Sequence, residues 1–233
     1  MFGKVTGLGR GKGGHMHLFS VDKKFGCSGI VGAGLPQACG AALAAKKKGK
    51  DWVAVTFFGE GAANQGSFHE SLNLAALWNL PVIFICEDNK YAISVTREES
   101  TAIASNADRA GSYGIPGVRV ENNDAIEVYD VVGEAVSRAR SGGGPSLIEV
   151  RTDRYLGHFQ GDAEAYRPQD EVNKLRENDP LDRLQKQLKK DGISETEISQ
   201  IQERAKTAVQ EAYDFARESA YPDVSEATQH VFV

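Results

Sequence analysis

The run 53–58 is apolar and rich in β-branched and aromatic residues, a pattern that predicts a buried strand. Gly59-Glu60-Gly61 breaks it. From 65 to 79 the apolar or small residues Phe68, Leu72, Ala75, Ala76 and Leu77 recur at helical spacing. Pro81 stops that helix, and 82–86 is a second apolar run that ends in Glu87-Asp88-Asn89. Strand, turn, helix, strand in this order predicts two parallel strands joined by a right-handed crossover. The alternation continues. A brief strand is expected at 117–121, and Asp124 is a good N-cap for a helix over 125–141. Ile126, Val128, Val131, Val132, Ala135 and Val136 give that helix a broad apolar face, and Ser141-Gly142-Gly143-Gly144 ends it. A strand follows at 146–152. Upstream, an Ala- and Gly-rich stretch predicts a helix from about 36 to 48, and 101–113 is expected to contain a short helix. The class is α/β with a mainly parallel sheet.

Beyond Pro168 the pattern becomes helical. Asp179-Pro180 opens one helix that ends near Gly192. Ser194 with Glu197 forms a capping box for a long helix to about Ala220. Its expected apolar stripe is Ile198, Ile201, Ala205, Ala208, Val209, Ala212 and Phe215. The tail 227–233 has strand character, and His230 in it carries no expected role. These patterns divide the chain into an α/β domain, 1–168, and a helical extension, 169–233, packed on the same domain.

Composition narrows the class. A hydrophobic fraction of 41% and a charged fraction of 25% are ordinary for a globular domain. A net charge of −5 offers no reason to expect nucleic acid, and Lys46-Lys47-Lys48 reads as the solvated end of a helix. Cys27, Cys39 and Cys86 make no metal spacing, and their settings predict buried thiols in a reducing compartment. No run reaches the roughly 18 apolar residues of a membrane span, and no signal peptide opens the sequence. The expected location is the cytoplasm, with no membrane partner.

The polar residues at the predicted strand ends carry the chemistry. Glu60 and Asn89 fall just past the carboxyl ends of two strands, where open α/β sheets bind ligands. Gly61 and Ala62 are expected to lead into a helix with their N–H groups free to face an anion. A carboxylate, an amide oxygen and a backbone carbonyl suit a hard cation such as Mg²⁺. The site reads as one for a diphosphate with its metal. Gly11-Lys12-Gly13-Gly14 lacks the spacing and the following Ser or Thr of a P-loop, and no GxGxxG joins a strand to a helix. Residues 3–34 are dense in glycine, which suggests backbone passing close to a ligand or a neighbouring chain.

Gly59-Glu60-Gly61, the intervening 62–87 and Asp88-Asn89 together resemble the thiamine-diphosphate motif of Gly-Asp-Gly, a spacer and Asn-Asn. The flanks GEGAANQG and ALWNLPVIFICEDNKYAIS resemble the α subunits of thiamine-diphosphate-dependent 2-oxo-acid and acetoin dehydrogenases, with further matches from Gly11 to about Arg167. The resemblance implies a Rossmann-like, three-layer thiamine-diphosphate fold. It implies Glu60, Asn89 and the carbonyl of Tyr91 as Mg²⁺ ligands, although Glu60 stands where the family has Asp and Asp88 where it has the first Asn. It implies cofactor contacts from Gly29 and Val31 in GIVGA, and from Gly61, Ala62 and His158. His17, in GKGG-x-Met-His, and His158, in Gly-His on an active-site loop, are the implied catalytic residues. Phe159 stands where mammalian relatives have a regulatory Ser, so phosphorylation there is not expected. GHFxGD followed by Tyr166-Arg167 resembles bacterial acetoin dehydrogenases most.

The resemblance implies cleavage of a carbon–carbon bond beside a carbonyl, with the acyl unit passed to a lipoyl-bearing acyltransferase. A β subunit would complete the site, in an α2β2 assembly. Acetoin is the first expected substrate, followed by pyruvate and branched-chain 2-oxo acids. Family α subunits carry an upstream segment with a Tyr-Arg pair that holds the diphosphate, for which these residues have no counterpart. The alternative is a truncated or non-catalytic scaffold derived from the same fold.

Overall fold

The computed structural model describes residues 1–229; the expected strand of the tail and His230 lie largely or wholly outside them. In chain order the elements are β1 (Phe19–Ser20), β2 (Phe25–Gly26), α1 (Gly34–Lys47), β3 (Ala54–Gly59), α2 (Gly66–Leu77), β4 (Val82–Asp88), β5 (Tyr91–Ala92), β6 (Val95–Thr96) and α3 (Arg97–Ser100). Then come β7 (Gly117–Val120), α4 (Ala125–Arg140), β8 (Ser146–Arg151), α5 (Gln169–Arg176), α6 (Pro180–Lys190) and α7 (Glu195–Glu218). Short 3-10 turns lie at His15–His17, Glu60–Asn64, Asn106–Tyr113 and Val224–Thr228.

The chain forms two compact units: Val31–Gln187, and Met1–Ile30 together with the residues from Leu188 onward. This division differs from a boundary at residue 168, because α5 and most of α6 fall in the sheet unit and the glycine-rich amino end falls with α7.

The sheet unit is built on four parallel strands in the order β3-β4-β8-β7. β4 explains the arrangement. Its sequence Val-Ile-Phe-Ile-Cys is apolar at successive positions, which suits a strand covered on both faces. Val82, Phe84 and Cys86 join Phe58, Leu147, Leu35, Phe68 and Leu72 in a cluster under α1 and α2. Ile83 and Ile85 join Val120, Ile148 and Val150 in a second cluster, against which α4 lays Val128, Val131, Val132 and Val136. α4 starts where expected: the Asp124 carboxylate accepts from the N–H groups of Ile126 and Glu127 at 3.0 and 3.1 Å.

Along the first face the registered rows change character toward the carboxyl ends of the strands. Phe84 pairs with Leu147, then Cys86 with Glu149, then Asp88 with Arg151. All of these side chains except that of Arg151 are buried. The core therefore turns charged where the strands end, which is where the functional residues gather.

In the other unit the amino end is tied to the end of α7. Val5 N–H donates to Ala220 O at 3.0 Å, Lys4 Nζ donates to Ser219 O at 2.8 Å, and Phe2 meets Tyr213 edge-on. The Ser194–Glu197 capping box is present as expected. Two expectations are corrected. Of the α7 stripe only Ile198 is buried, while Ile201, Val209 and Phe215 are exposed. Cys39 and Cys86 are buried but Cys27 is exposed, because β1 and β2 are two residues long and provide no core around it. Among the described residues no helix is long and apolar enough to cross a membrane.

Candidate functional site

Three segments converge at the carboxyl ends of neighbouring strands β3, β4 and β8. Glu60 follows β3 directly, on the 3-10 turn Glu60–Asn64, and its side chain is buried. Oε2 accepts the N–H of Asn89 at 3.3 Å, so the ends of β3 and β4 are joined through this carboxylate. Oε1 is buried without a hydrogen-bond partner. Burial pushes the Glu60 carboxyl up; its own N–H and that of Asn89 pull it down, and the nearby Asp88 carboxylate adds to the upward push. Gly61 has a steric role: a Cβ there would lie 2.6 Å from Ala92 Cβ, on the hairpin of β5 and β6. Gly61 and Ala62 belong to the 3-10 turn and not to the first turn of α2, which starts at Gly66. The helix expected from 65 begins at Gly66, and Gly61 and Ala62 lie on the 3-10 turn that leads into it.

The turn after β4 is held from within. Asp88 Oδ1 accepts the Lys90 N–H at 3.0 Å, and Asn89 Oδ1 accepts the Tyr91 N–H at 3.2 Å. Lys90 takes a left-handed φ of 74° between them. Asp88 is buried and faces two guanidinium groups. Arg151 Nη1 donates to Oδ2 at 3.1 Å, and Arg97 Nε lies 3.0 Å from the same oxygen, an ionic contact off the hydrogen-bonding direction. The residue in the first position of the motif pair is thus an ion-pair centre behind the turn.

His158 lies on the segment after β8. Its ring is exposed, and its N–H donates to Asp162 Oδ2 at 2.8 Å. Asp162 also accepts the Glu164 N–H at 3.0 Å and the Tyr166 hydroxyl at 2.7 Å. These donors hold its carboxyl down at about 2. Gly157 permits the loop to close, since a Cβ there would meet Asp162 Cβ at 2.6 Å. Arg154 braces the loop against the β4 turn. It donates to Ile93 O at 2.8 Å and to Tyr166 Oη at 2.6 Å, and its guanidinium stacks 5.3 and 5.4 Å from the Tyr91 and Tyr166 rings. Tyr91 Oη donates to Glu171 Oε2, on α5, at 3.1 Å.

Glu60, Gly61, Ala62, Asn89, Tyr91 and His158 therefore all lie past the ends of β3, β4 and β8. Val31 is exposed in the same unit. His17 and Gly29 belong to the other unit, where a Cβ at Gly29 would lie 3.5 Å from Met16 and 3.8 Å from Nε2 of the exposed His17. Sequence reasoning missed Asp162, Arg154 and Glu171. Asp162 stands inside the quoted GHFxGD and Arg154 three residues before it, but nothing in their spacing reveals their partners; Glu171 had no signal at all.

The donor set fits a divalent cation held by a single carboxylate. A buried carboxylate oxygen without a partner is costly, and beside an amide oxygen it is what a hard cation takes. Among the described residues no group of three or more His, Cys, Asp or Glu is arranged around a common metal position, so the remaining ligands would be amide, carbonyl or ligand oxygens.

A family model described as dehydrogenase E1 component matches residues 1–225. The α subunit of the acetoin:2,6-dichlorophenolindophenol oxidoreductase of Bacillus subtilis is 48% identical over 235 residues, covering 100% of this chain and 70% of the relative. The corresponding Cupriavidus necator subunit is 44% identical over 236 residues, with coverages of 100% and 71%. The α subunit of the pyruvate dehydrogenase E1 component of Rhizobium meliloti is 44% identical over 227 residues, with coverages of 96% and 65%. This chain belongs to the dehydrogenase E1 component family, as an oxidoreductase α subunit.

Proposed function

We propose that this chain is the α subunit of a thiamine-diphosphate-dependent dehydrogenase acting on acetoin, with Mg²⁺ as its metal. The observation that carries the reading is the buried, unpartnered Glu60 Oε1 at the junction of the β3 and β4 ends. One acetoin subunit is 48% identical, against 44% for both a second acetoin subunit and the pyruvate subunit, and that margin is the ground for acetoin over pyruvate. When bound, the cofactor supplies a carbon nucleophile and an electron sink for breaking a bond beside a carbonyl.

The chain's own residues divide the remaining work. Glu60 and Asn89 offer oxygens to the cation, with the Tyr91 carbonyl as a third ligand. Gly61 and Ala62 bring backbone close to the diphosphate, and Val31 contacts the pyrimidine end. His158 orients the reacting group and moves protons, a task suited to an imidazole whose ordinary pKa is about 6.5. Asp162 fixes the His158 backbone. A β subunit completes the site in an α2β2 assembly, and a lipoyl-bearing acyltransferase receives the two-carbon unit.

Titration calorimetry with thiamine diphosphate and Mg²⁺, with and without a β subunit, tests the reading. Binding by the wild type, lost in Glu60→Ala, is expected; a wild type that binds neither alone nor in the complex overturns it.

A further inference from the structure

Behind the Asp88–Tyr91 turn lies a cluster of charged groups that none of the roles above employs. Asp88 and Glu149 have no solvent exposure, and Arg97 is 5% exposed. Asp88 reaches three partners, Lys90 N–H, Arg97 and Arg151, and Glu149 lies in the adjacent row of the same sheet face. Its own carbonyl accepts the Thr152 N–H at 2.9 Å. Glu149 uses Oε2 to accept from the Ser105 hydroxyl and from the Ala107 N–H. Its Oε1 is buried and has no donor. Cys86 and Arg119 hold the flanking register positions on β4 and β7. Arg119 is committed to Glu121 at 3.0 Å, so it does not neutralise Glu149.

Two adjacent buried carboxylates cannot both be ionised cheaply. The two guanidinium groups stand beside Asp88, not beside Glu149. A proton on Glu149 turns its orphaned oxygen into a donor and gives it Asp88 as an acceptor, which resolves both problems together. Burial and the Asp88 carboxylate both push the Glu149 carboxyl up, against the pull of Ser105.

We infer that Asp88, Arg97, Arg151 and a protonated Glu149 form a positioning assembly that sets the turn presenting Asn89 and Tyr91 to the cation. Asp88 is then a positioning residue and not a ligand. Its Oδ1 holds Lys90 in the left-handed conformation, which aims the next two residues, while the arginines and Glu149 hold Asp88. The carboxylate recruits partners that an amide in its place does not attract, and the strand end becomes rigid. The ligand-aiming role rests on the cofactor reading above; the protonation and rigidity do not.

Glu149→Gln keeps a neutral donor at this position and Glu149→Leu removes it, so the pair separates a donating acid from an ionised carboxylate. By infrared difference spectroscopy at neutral pH, Glu149→Gln is expected to remove one protonated-carboxyl band present in the wild type. Amide exchange at Lys90 and Tyr91 should match wild type in Glu149→Gln and quicken by about tenfold or more in Glu149→Leu and in Arg151→Met. In the complex with thiamine diphosphate, Mn²⁺ affinity should hold in Glu149→Gln and fall about ten- to a hundredfold in Glu149→Leu. Absence of the lost band, or Glu149→Gln exchanging as fast as Arg151→Met, overturns the inference even if Glu149→Leu fails to fold. A wild type that binds no Mn²⁺ with thiamine diphosphate sinks the cofactor reading instead, and the spectroscopic and exchange results still decide the assembly.

Discussion

Asp162 gathers a main-chain N–H from His158, another from Glu164 and the Tyr166 hydroxyl on one carboxylate. In Asp162→Ala all three donors are released, and the His158 loop loses its closure. Turnover with a β subunit should fall between about ten- and a hundredfold, as for other small misplacements of a reacting group. The melting temperature should move by less than about 2 °C, because the residue is only half-buried and packs in no apolar cluster. The pH dependence has a definite sign. With its folded value held down at about 2 and an ordinary value near 3.9, Asp162 stabilises the loop fully above about pH 4. That contribution is lost as pH falls toward 2, and a carboxyl carbon NMR titration of Asp162 reads it directly. A second residue acts by having no side chain. Gly61→Ala would place a methyl against Ala92 Cβ and push the β5–β6 hairpin aside, at a cost of about 1–3 kcal/mol. Weaker thiamine diphosphate binding with intact circular dichroism is the expected result. Glu60 and Asn89 were legible in the sequence, because both follow apolar runs whose ends had to lie at one sheet edge. The partners of Asp88 were not. Arg97, Glu149 and Arg151 are separated from it by chain that carries no periodic mark of their approach.

Elements were legible in proportion to the strength of their local signals. The Asp124 cap and the Ser194–Glu197 box stood out because each is a short-range hydrogen-bond pattern written in four or five residues. Thr96–Glu99 is the same kind of box, present at α3, and the same pattern would have located it. β4 ran two residues longer than its apolar run, through Glu87 to Asp88, because pairing with β8 continues past the last apolar side chain. The stretch 101–113 proved to be a 3-10 helix confined to Asn106–Tyr113, preceded by extended backbone at Ser105. For α4 the cap can be measured. Asp124→Ala should destabilise the protein by about 1 kcal/mol, seen as a lower denaturant midpoint with an unchanged slope. The Arg183 ion pair at 3.0 Å is half-exposed and should add little to that.

At the scale of the whole molecule the two units differ in how much they bury. Among the described residues nearly all the buried apolar ones belong to Val31–Gln187, and in the other unit Ile198 stands alone. Amides of α7 should therefore exchange faster than those of β4 and β8 by orders of magnitude, and hydrogen-exchange mass spectrometry checks this peptide by peptide. Comparable protection in α7 and β4 would show that the long helix is held by more than the contacts described. By itself the sequence determined the α/β class, the parallel pairing of β3 with β4, and the placing of Glu60 and Asn89 at strand ends, because hydrophobic period and turn chemistry are local properties of the chain. Only the tertiary structure decided that β8 lies beside β4. That adjacency buries Asp88 against Arg151 and Glu149 and brings the His158 loop to the same edge, and strand order depends on long-range packing that no local pattern encodes.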